Sequence, residues 1–449
     1  MTLPPKPPSR APRVSLWRYG RLFRQDILSA QPERLYRAWM AEFRTPFFRS
    51  YLANDPALVR TVLKDRPEDF PKSERVGEGL RPLLGNSVFL TNGDVWERQR
   101  RIIDPAFEGG RLRDSYAAVA QAAAATAERL KEAVGQETEI EAEASHAAAD
   151  AIFRTLFSIP IDDHIADLTY SAFRRYQRSQ PILNLAAFVP LPRWMPRGFK
   201  RATRHSAIEI RGLIHEITRQ RQGEIADGSA PDDLATKIMT TADPQTGETF
   251  DVEEMVDQVA IFFLAGHETS ASSLAWALYL LALYPEWQEQ VAQEALSLTE
   301  DFASLSSLRV TRDVFRETLR LYPPVPMMVR ETTQAEVFRN RDVPRKAQVV
   351  ISPWHLHRHS RLWDTPDAFD PARWQTEAGR QSARDAYVPF SAGRRVCPGA
   401  GFAMMEGVVM LAHILRTVRV ALPDAPAPVP VAHLTVRAKN GIRLRIVRR

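Results

Sequence analysis

Residues 390–399 read FSAGRRVCPG, and Cys397 in that run is the sole cysteine of the 449-residue chain. A sole cysteine forms no internal disulfide and no cysteine–zinc cluster. Its neighbours suit a sulfur that binds a metal. Gly393, Pro398 and Gly399 can form a loop tight enough to lift the sulfur out of the fold. Backbone N–H groups in such a loop disperse thiolate charge, and Arg395 offers a cation to an acidic cofactor edge. The ordinary reading of a lone cysteine is a small buried hydrophobe; this flanking pattern is too specific for that.

Further residues have chemical spacing. In AGHETS (265–270), Phe262, Ala265 and Thr269 fall at i, i+3 and i+7, one helix face, with Glu268 beside them. The face is small and apolar with one hydroxyl; a core helix with an incidental polar patch is the plain alternative. His267 is followed by ETSAS, so no HExxH zinc pair exists. Glu317 and Arg320 share a helix face at i, i+3. Trp96 and Arg100 in GDVWERQRR read, by themselves, as a basic helix anchored by one tryptophan. His355, His357 and His359 alternate and would share a face on a strand, but no carboxylate accompanies them at useful spacing, so they read as structural.

Phe390, Gly393, Arg395, Cys397 and Gly399 match FxxGxRxCxG, and through them the chain resembles the cytochrome P450 family, from about Trp96 to the C-terminus. The resemblance implies that Cys397 is the axial thiolate of haem b, iron protoporphyrin IX. It implies that AGHETS is the helix segment over the haem. Gly266 would leave room for oxygen, Thr269 would hydrogen-bond oxygen at the iron, and Glu268 would relay protons. Glu317 and Arg320, with Arg373 from the segment carrying Pro366, Phe369 and Pro371, would be a buried structural set. Trp96, Arg100, Arg330 and Arg395 would serve the two haem carboxylates, which need cations. Trp374 and Pro398 depart mildly from the family pattern, and the resemblance is loose before Trp96.

The elements that must position these residues are mostly helices. The pattern predicts helices over 112–134, 142–157, 166–179 and 198–222, with a proline-rich apolar loop over 181–196 between the last two. A long helix should start at Asp251, with Glu254 as capping-box partner, and stop at Tyr284 before Pro285. That is on the order of 50 Å. Shorter helices should follow over 286–296 and 311–321, and strands over 47–53, 325–331 and 348–352. Asn440-Gly441 signals a terminal hairpin. The expected class is mainly α with a minor β region (α+β): a P450-like single large domain over 16–449, with a long central helix, after a proline-rich basic arm over 1–15.

Hydrophobic residues make up 44% and charged residues 25%, ordinary for a globular chain and not for a disordered one. The net charge is +6, but the first 50 residues carry ten basic groups against three acids, so the rest sums to about −1. The basic character belongs to one end, which suits a solvated basic surface, or one that touches an anionic membrane, better than nucleic acid. No secretory run opens the chain, and the apolar stretch 259–284 is broken by Gly266–Ser270, so a cytoplasmic protein is expected.

The expected activity is that of a haem-thiolate monooxygenase, which inserts one oxygen atom from O2 into an apolar organic substrate. Phe262, Ala265, Val325, Met327, Met328 and Leu434, with parts of 76–90 and 181–196, are the expected pocket. The haem domain uses the whole length, so electrons should come from separate proteins, a ferredoxin and its reductase. A monomer is expected, with no nucleic acid and at most weak membrane-surface contact through 181–196 and the arm. The alternatives are a peroxide-driven or isomerase-like haem-thiolate enzyme, a haem gas sensor, and a histidine metal hydrolase. The acid–threonine pair counts against the first two.

Overall fold

The computed structural model describes residues 2–44, 49–108, 110–179, 201–432 and 434–449. The loop expected over 181–196 lies outside the described residues. Twelve helices of seven or more residues occur among them: α1 Leu16–Gln25, α2 Gly93–Ile103, α3 Arg111–Glu132, α4 Ile140–Phe157, α5 His164–Ser179, α6 Arg201–Ala226, α7 Leu234–Thr240, α8 Val252–Leu283, α9 Pro285–Ala295, α10 Arg309–Leu321, α11 Glu377–Ala386 and α12 Ala400–Thr417. The strands are β1 Met40–Arg44, β2 Arg49–Ala53, β3 Glu137–Glu139, β4 Met328–Glu331, β5 Glu336–Phe338, β6 Arg341–Val343, β7 Gln348–Ile351, β8 Val418–Ala421, β9 Pro430–Ala432, β10 Val436–Ala438 and β11 Arg443–Arg448.

Helix α8 is the axis. Its expected capping box is present: Glu254 N–H donates to Asp251 Oδ1 at 2.7 Å, and Asp251 N–H donates to Glu254 Oε2 at 3.1 Å. Pro285 lacks an N–H and opens α9 instead of extending α8. Nearly every side chain along α8 is buried, because neighbours cover it on all sides. It packs against α4 along its length and against α6, α10 and α12, while α3 covers α4 and α12, and α5 pairs with α6. One apolar core gathers the second half of α8 with α3, α10 and α12; there Trp276 stacks on Tyr322 with ring centroids 4.0 Å apart. A second gathers its first half with α4, α5 and α6 around Phe153, Phe173 and Phe263.

The four-stranded sheet runs β1-β2-β7-β4, with β2 and β7 parallel and the outer pairs antiparallel. The terminal hairpin expected at Asn440-Gly441 does not form. β10 pairs with β9, while β11 pairs with β8 and β3. A type I′ turn needs positive φ at both central residues, and only Gly441 has it. That geometry occurs at Arg339 (φ 49°) and Asn340 (φ 61°), which join β5 to β6.

The proline-rich arm lies on the body. Lys6 Nζ meets Asp367 at 3.0 Å, and Tyr322 and Tyr284 donate their hydroxyls to the carbonyls of Pro5 and Thr2. Among the described residues one helix, α12, is long and apolar enough to cross a membrane, and two thirds of it is buried in the fold.

Candidate active site

The cysteine loop is set by one forced glycine. Gly393 has φ 69°, and a Cβ there would sit 2.1 Å from the carbonyl oxygen of Leu63. No other residue fits. Cys397 N–H then donates to Phe390 O at 2.9 Å, which closes the loop and sets the sulfur just before α12. Gly399 has an ordinary φ of −81° and normal contacts around its missing Cβ, so the turn does not demand it. Burial pushes the Cys397 thiol up, opposed by the Gly399 N–H on the sulfur and by Arg100. The cysteine is nonetheless open to solvent. Both hold if its open surface faces an internal cleft, walled by protein but reachable.

The opposite wall is α8. In a stretch otherwise buried from Met255 to Ala282, Ala265 is exposed and Gly266, Thr269 and Ser270 are half-buried. Phe262 lies against Phe107, with centroids 5.8 Å apart, and Phe107 in turn lies against the Gly399 side of the sulfur loop. The Thr269 hydroxyl donates to Ala265 O at 2.5 Å. Glu268 is buried, and its Oε1 accepts from Thr435 Oγ1 at 2.8 Å and from Arg437 Nη2 at 2.9 Å. Gly266 does not face the cleft. A Cβ there would meet Ile152 Cδ1 at 3.0 Å, so Gly266 serves the close approach of α8 to α4, and the side chain that leaves room over the cysteine is Ala265's methyl. His267 turns away too. Its Nε2 bonds Ser145 Oγ at 2.8 Å, and burial pushes it down to about 3, so it is neutral.

Beside the sulfur loop lies a cation cradle. Trp96 is buried, and the charges of Arg395, Lys72 and Arg100 sit 4.9, 5.7 and 5.8 Å from its ring centroid. Lys72 and Arg330 form an isolated antiparallel bridge, which brings Arg330 into the group. Burial, then Arg330, Arg395 and Arg100, push Lys72 down to about 6. Burial, then Arg395, push Arg330 down to about 10. Some partners exist: Arg100 pairs with Asp104 at 2.6 Å, and Arg395 Nη1 donates to Pro67 O. Lys72 and Arg330 meet only backbone carbonyls among the described residues. Four cations held together at this cost suit a ligand edge with two carboxylates. A flat cofactor with a dianionic edge, a thiolate beneath and a small apolar face above therefore fits these residues, and haem b has that shape and charge.

Val325 (36% exposed), Met327 and Leu434 present partly open apolar surface, and Leu434 packs into the same cluster as Phe262. Met328 packs instead with the sheet core of Tyr51, Val349 and Ile351, because strand alternation turns it the other way from Met327.

The Glu317 set is buried. Arg320 grips Glu317 with two bonds of 2.8 and 2.9 Å, and Arg373 Nε adds one of 2.9 Å. Arg320 also binds the carbonyls of His357, Pro366 and Ala368, fastening α10 to the segment ahead of the cysteine loop. Burial raises the Glu317 carboxyl, yet its two arginines hold it below the ordinary value. The alternating histidines sit on and after a helical turn, Pro353–Leu356, so they share no strand face. His355 bonds Ser352 and His357 accepts from Val388 N–H, and no group of three metal ligands occurs among the described residues.

Three residues were not singled out from the sequence. Lys72 carries no signal, since its role depends on chain that folds beside it. Arg437 is one of many basic residues in the last strands. Glu406 had a signal: one charge within the apolar run of α12. It is buried, accepts from Ser270 Oγ at 2.5 Å, and burial pushes it up to about 8. A polar cavity of about 250 Å³ between α3, α4 and α7 shares no residue with the cysteine cleft, and its charges pair among themselves, as in Lys237–Asp114 at 2.9 Å.

The family model of Cytochrome P450 matches residues 30–445. Cyclooctat-9-en-7-ol 5-monooxygenase of Streptomyces melanosporofaciens is 34% identical over 385 residues, 84% of this chain and 81% of that one. Cytochrome P450 4A11 of Homo sapiens is 30% identical over 483 residues, 99% of this chain and 88% of that one. The crystal structure of the cytochrome P450DA heme domain superposes with a TM-score of 0.81 at 26% identity, covering 100% of this chain and 99% of that one. The chain belongs to the cytochrome P450 family, as a haem-thiolate monooxygenase.

Proposed function

We propose that this monooxygenase oxidises a polycyclic terpenoid or similar lipid. Cys397 is the iron ligand, Trp96, Arg100, Arg330, Arg395 and Lys72 hold the haem carboxylates, and Thr269 and Glu268 manage protons. Bound haem would supply oxygen activation and transfer of one oxygen atom to carbon. The protein's own part is positional. Phe262, Val325, Met327 and Leu434 bind by apolar contact and exclude water. Thr269 Oγ1 can leave Ala265 O and donate into the cleft. Glu268 can pass a proton inward through Oε2, which meets no donor among the described residues. The observation that supports the reading is the opening in α8, where Ala265 is exposed and Thr269 half-buried, a small apolar surface with one hydroxyl beside the buried Phe262.

Electrons come from a separate ferredoxin and ferredoxin reductase, and the enzyme works as a cytoplasmic monomer. Any contact with an anionic membrane is weak and falls on α1, whose exposed Trp17, Arg18, Arg21 and Arg24 lie outward while the arm is held down by Lys6. The test is a spectral titration with cyclooctat-9-en-7-ol and other terpenoids, followed by turnover with surrogate partners. Tight binding with oxidised product supports the reading; uniformly absent binding refutes the substrate class. Thr269→Ala should keep haem content and binding, while product per NADH falls and hydrogen peroxide rises to match. Unchanged coupling in Thr269→Ala removes Thr269 from the proton path.

A further inference from the structure

Between the helical turn Arg81–Leu84 and α2, the chain carries Val88 and Leu90, half-buried, into the apolar cluster of Phe262. This loop belongs to no sheet, and side chains from distant elements fasten it. Asp257 of α8 is the centre. Its Oδ2 accepts Asn86 N–H at 2.6 Å, and its Oδ1 accepts from Arg211 Nη1 of α6 at 2.6 Å. The same Arg211 nitrogen donates to Leu83 O at 3.2 Å. Beside Asp257, Gln258 Oε1 accepts Val88 N–H at 2.9 Å, and Lys72 Nζ of the cation cradle donates to Val88 O at 2.7 Å. Val88 is thus held at both its N–H and its C=O. Gln99 of α2 donates to Asn86 O at 2.7 Å. Gly85 lies directly on the carboxylate: it has φ 50°, and a Cβ there would sit 2.0 Å from Asp257 Oδ1. Only glycine lets the loop come so close.

We propose that Asp257, with Arg211, is a positioning residue for substrate: it clasps the loop 83–92 to α8 and α6 from behind, and so fixes Val88 and Leu90 as a wall that selects apolar substrates by shape. The proposal rests on the Phe262 side of the cleft being the substrate side. The clasp touches no substrate and transfers no proton; its work is to keep the wall from yielding. That matters because a missing or extra methylene in an apolar pocket is worth only roughly 10–200-fold, and a wall that gives way loses even this. The bonds at Asp257 are charge-assisted, from a backbone N–H and from a guanidinium. Its side chain is 12% exposed, so loss of Arg211 leaves a largely buried carboxylate without its cation. Glu253 also meets Arg211, at 3.6 Å, but is 70% exposed, so water screens that pair and it does not replace Asp257.

Spectral titration of haem-loaded enzyme with two iron-binding probes tests this, with haem content, the reduced-CO spectrum and Tm as folding controls. Imidazole is too small to press on the wall, whereas 1-phenylimidazole carries an apolar ring that must pack on it. Asp257→Asn and Arg211→Gln should each weaken 1-phenylimidazole about five- to tenfold and leave imidazole within about twofold of native. The double variant should be no worse than either single one, because both break the same clasp. Arg211→Lys, which keeps the charge, should recover most of the loss. Gly85→Ala leaves every polar group in place but drives the loop off Asp257, and should match Asp257→Asn. Hydrogen exchange should quicken at the amides of 83–92 and not along α12. Should Asp257→Asn or Gly85→Ala not load haem, Arg211→Gln and Arg211→Lys carry the measurement, since Arg211 is the more exposed partner. Weakening of both probes alike, or 1-phenylimidazole binding unchanged in Asp257→Asn and Arg211→Gln, overturns the clasp. If the native enzyme holds 1-phenylimidazole no more tightly than imidazole, the apolar reading of the cleft falls and the proposal with it; if it separates the two and the variants do so equally, only the clasp falls.

Discussion

The sulfur of Cys397 is open on one side, met by the Gly399 N–H and near Arg100, so the loop fixes its position before any iron arrives. A serine there would be a harder and poorer donor. Cys397→Ser should lose the red-shifted band of the reduced-CO complex and bring product to background; a retained band would show another ligand. Glu406 gives a prediction about stability. Its carboxyl is raised from 4.5 to about 8 by burial, against the Ser270 hydroxyl. Between those values the folded chain holds a proton that the unfolded chain has lost, so stability falls as pH rises from about 4.5 to about 8 and is level above. The size is on the order of a few kcal/mol. Glu406→Gln is always neutral and should flatten that part of the Tm–pH curve. A native curve that does not fall more steeply than the variant's would mean that Glu406 is charged at neutral pH.

At the scale of elements, glycines decide how closely helices approach. At Gly407 of α12 a Cβ would lie 2.1 Å from Cζ of the buried Phe315 ring on α10. Gly407→Ala must push α12 from α10 and should cost about 1–3 kcal/mol. Gly20 in α1 meets nothing within 4 Å, so Gly20→Ala should add about 1 kcal/mol through helix propensity. Urea midpoints of the two variants should move in opposite directions; the same direction would mean that propensity, not packing, dominates at both. The helices themselves were legible because their apolar spacing and caps are local, as at Asp251 and Glu254. The terminal hairpin was misread because Asn-Gly favours a turn but does not choose partners. β11 finds β8 and β3, which lie far off in sequence.

Over the whole molecule the positive charge is more engaged than its count suggests. Arg394, outside the cysteine loop, is half-exposed but bridges Glu68 and Glu97 at 3.0 and 3.2 Å. Arg98 is mostly buried and pairs with Glu254 at 2.6 Å. Arg394 is therefore the better candidate to meet an acidic ferredoxin, and Arg98 a poor one. Raising salt from low to physiological strength should slow ferredoxin-driven reduction several-fold, and Arg394→Glu should do so at low salt. Indifference to both would place docking elsewhere. Arg98→Glu, by contrast, should act on stability, because it sets two carboxylates together at the start of α8.

The sequence by itself determined the cysteine loop, the long helix and the family, since each of those signals is a run of ten residues or fewer and rests on local geometry: a glycine at positive φ, a proline, a cap. It also determined the Glu317–Arg320 pair, one helical turn. Only the tertiary structure decided the rest. Lys72 joined the cradle because a bridge to Arg330 crosses 258 residues of chain. Gly266 proved to serve Ile152, and not the cleft, because the side of a helix that meets a neighbour depends on where the neighbour lies. Glu268 acquired Arg437 from the last strands, 169 residues on. Buried charges find partners by proximity in space, and amino-acid spacing along the chain carries no record of it.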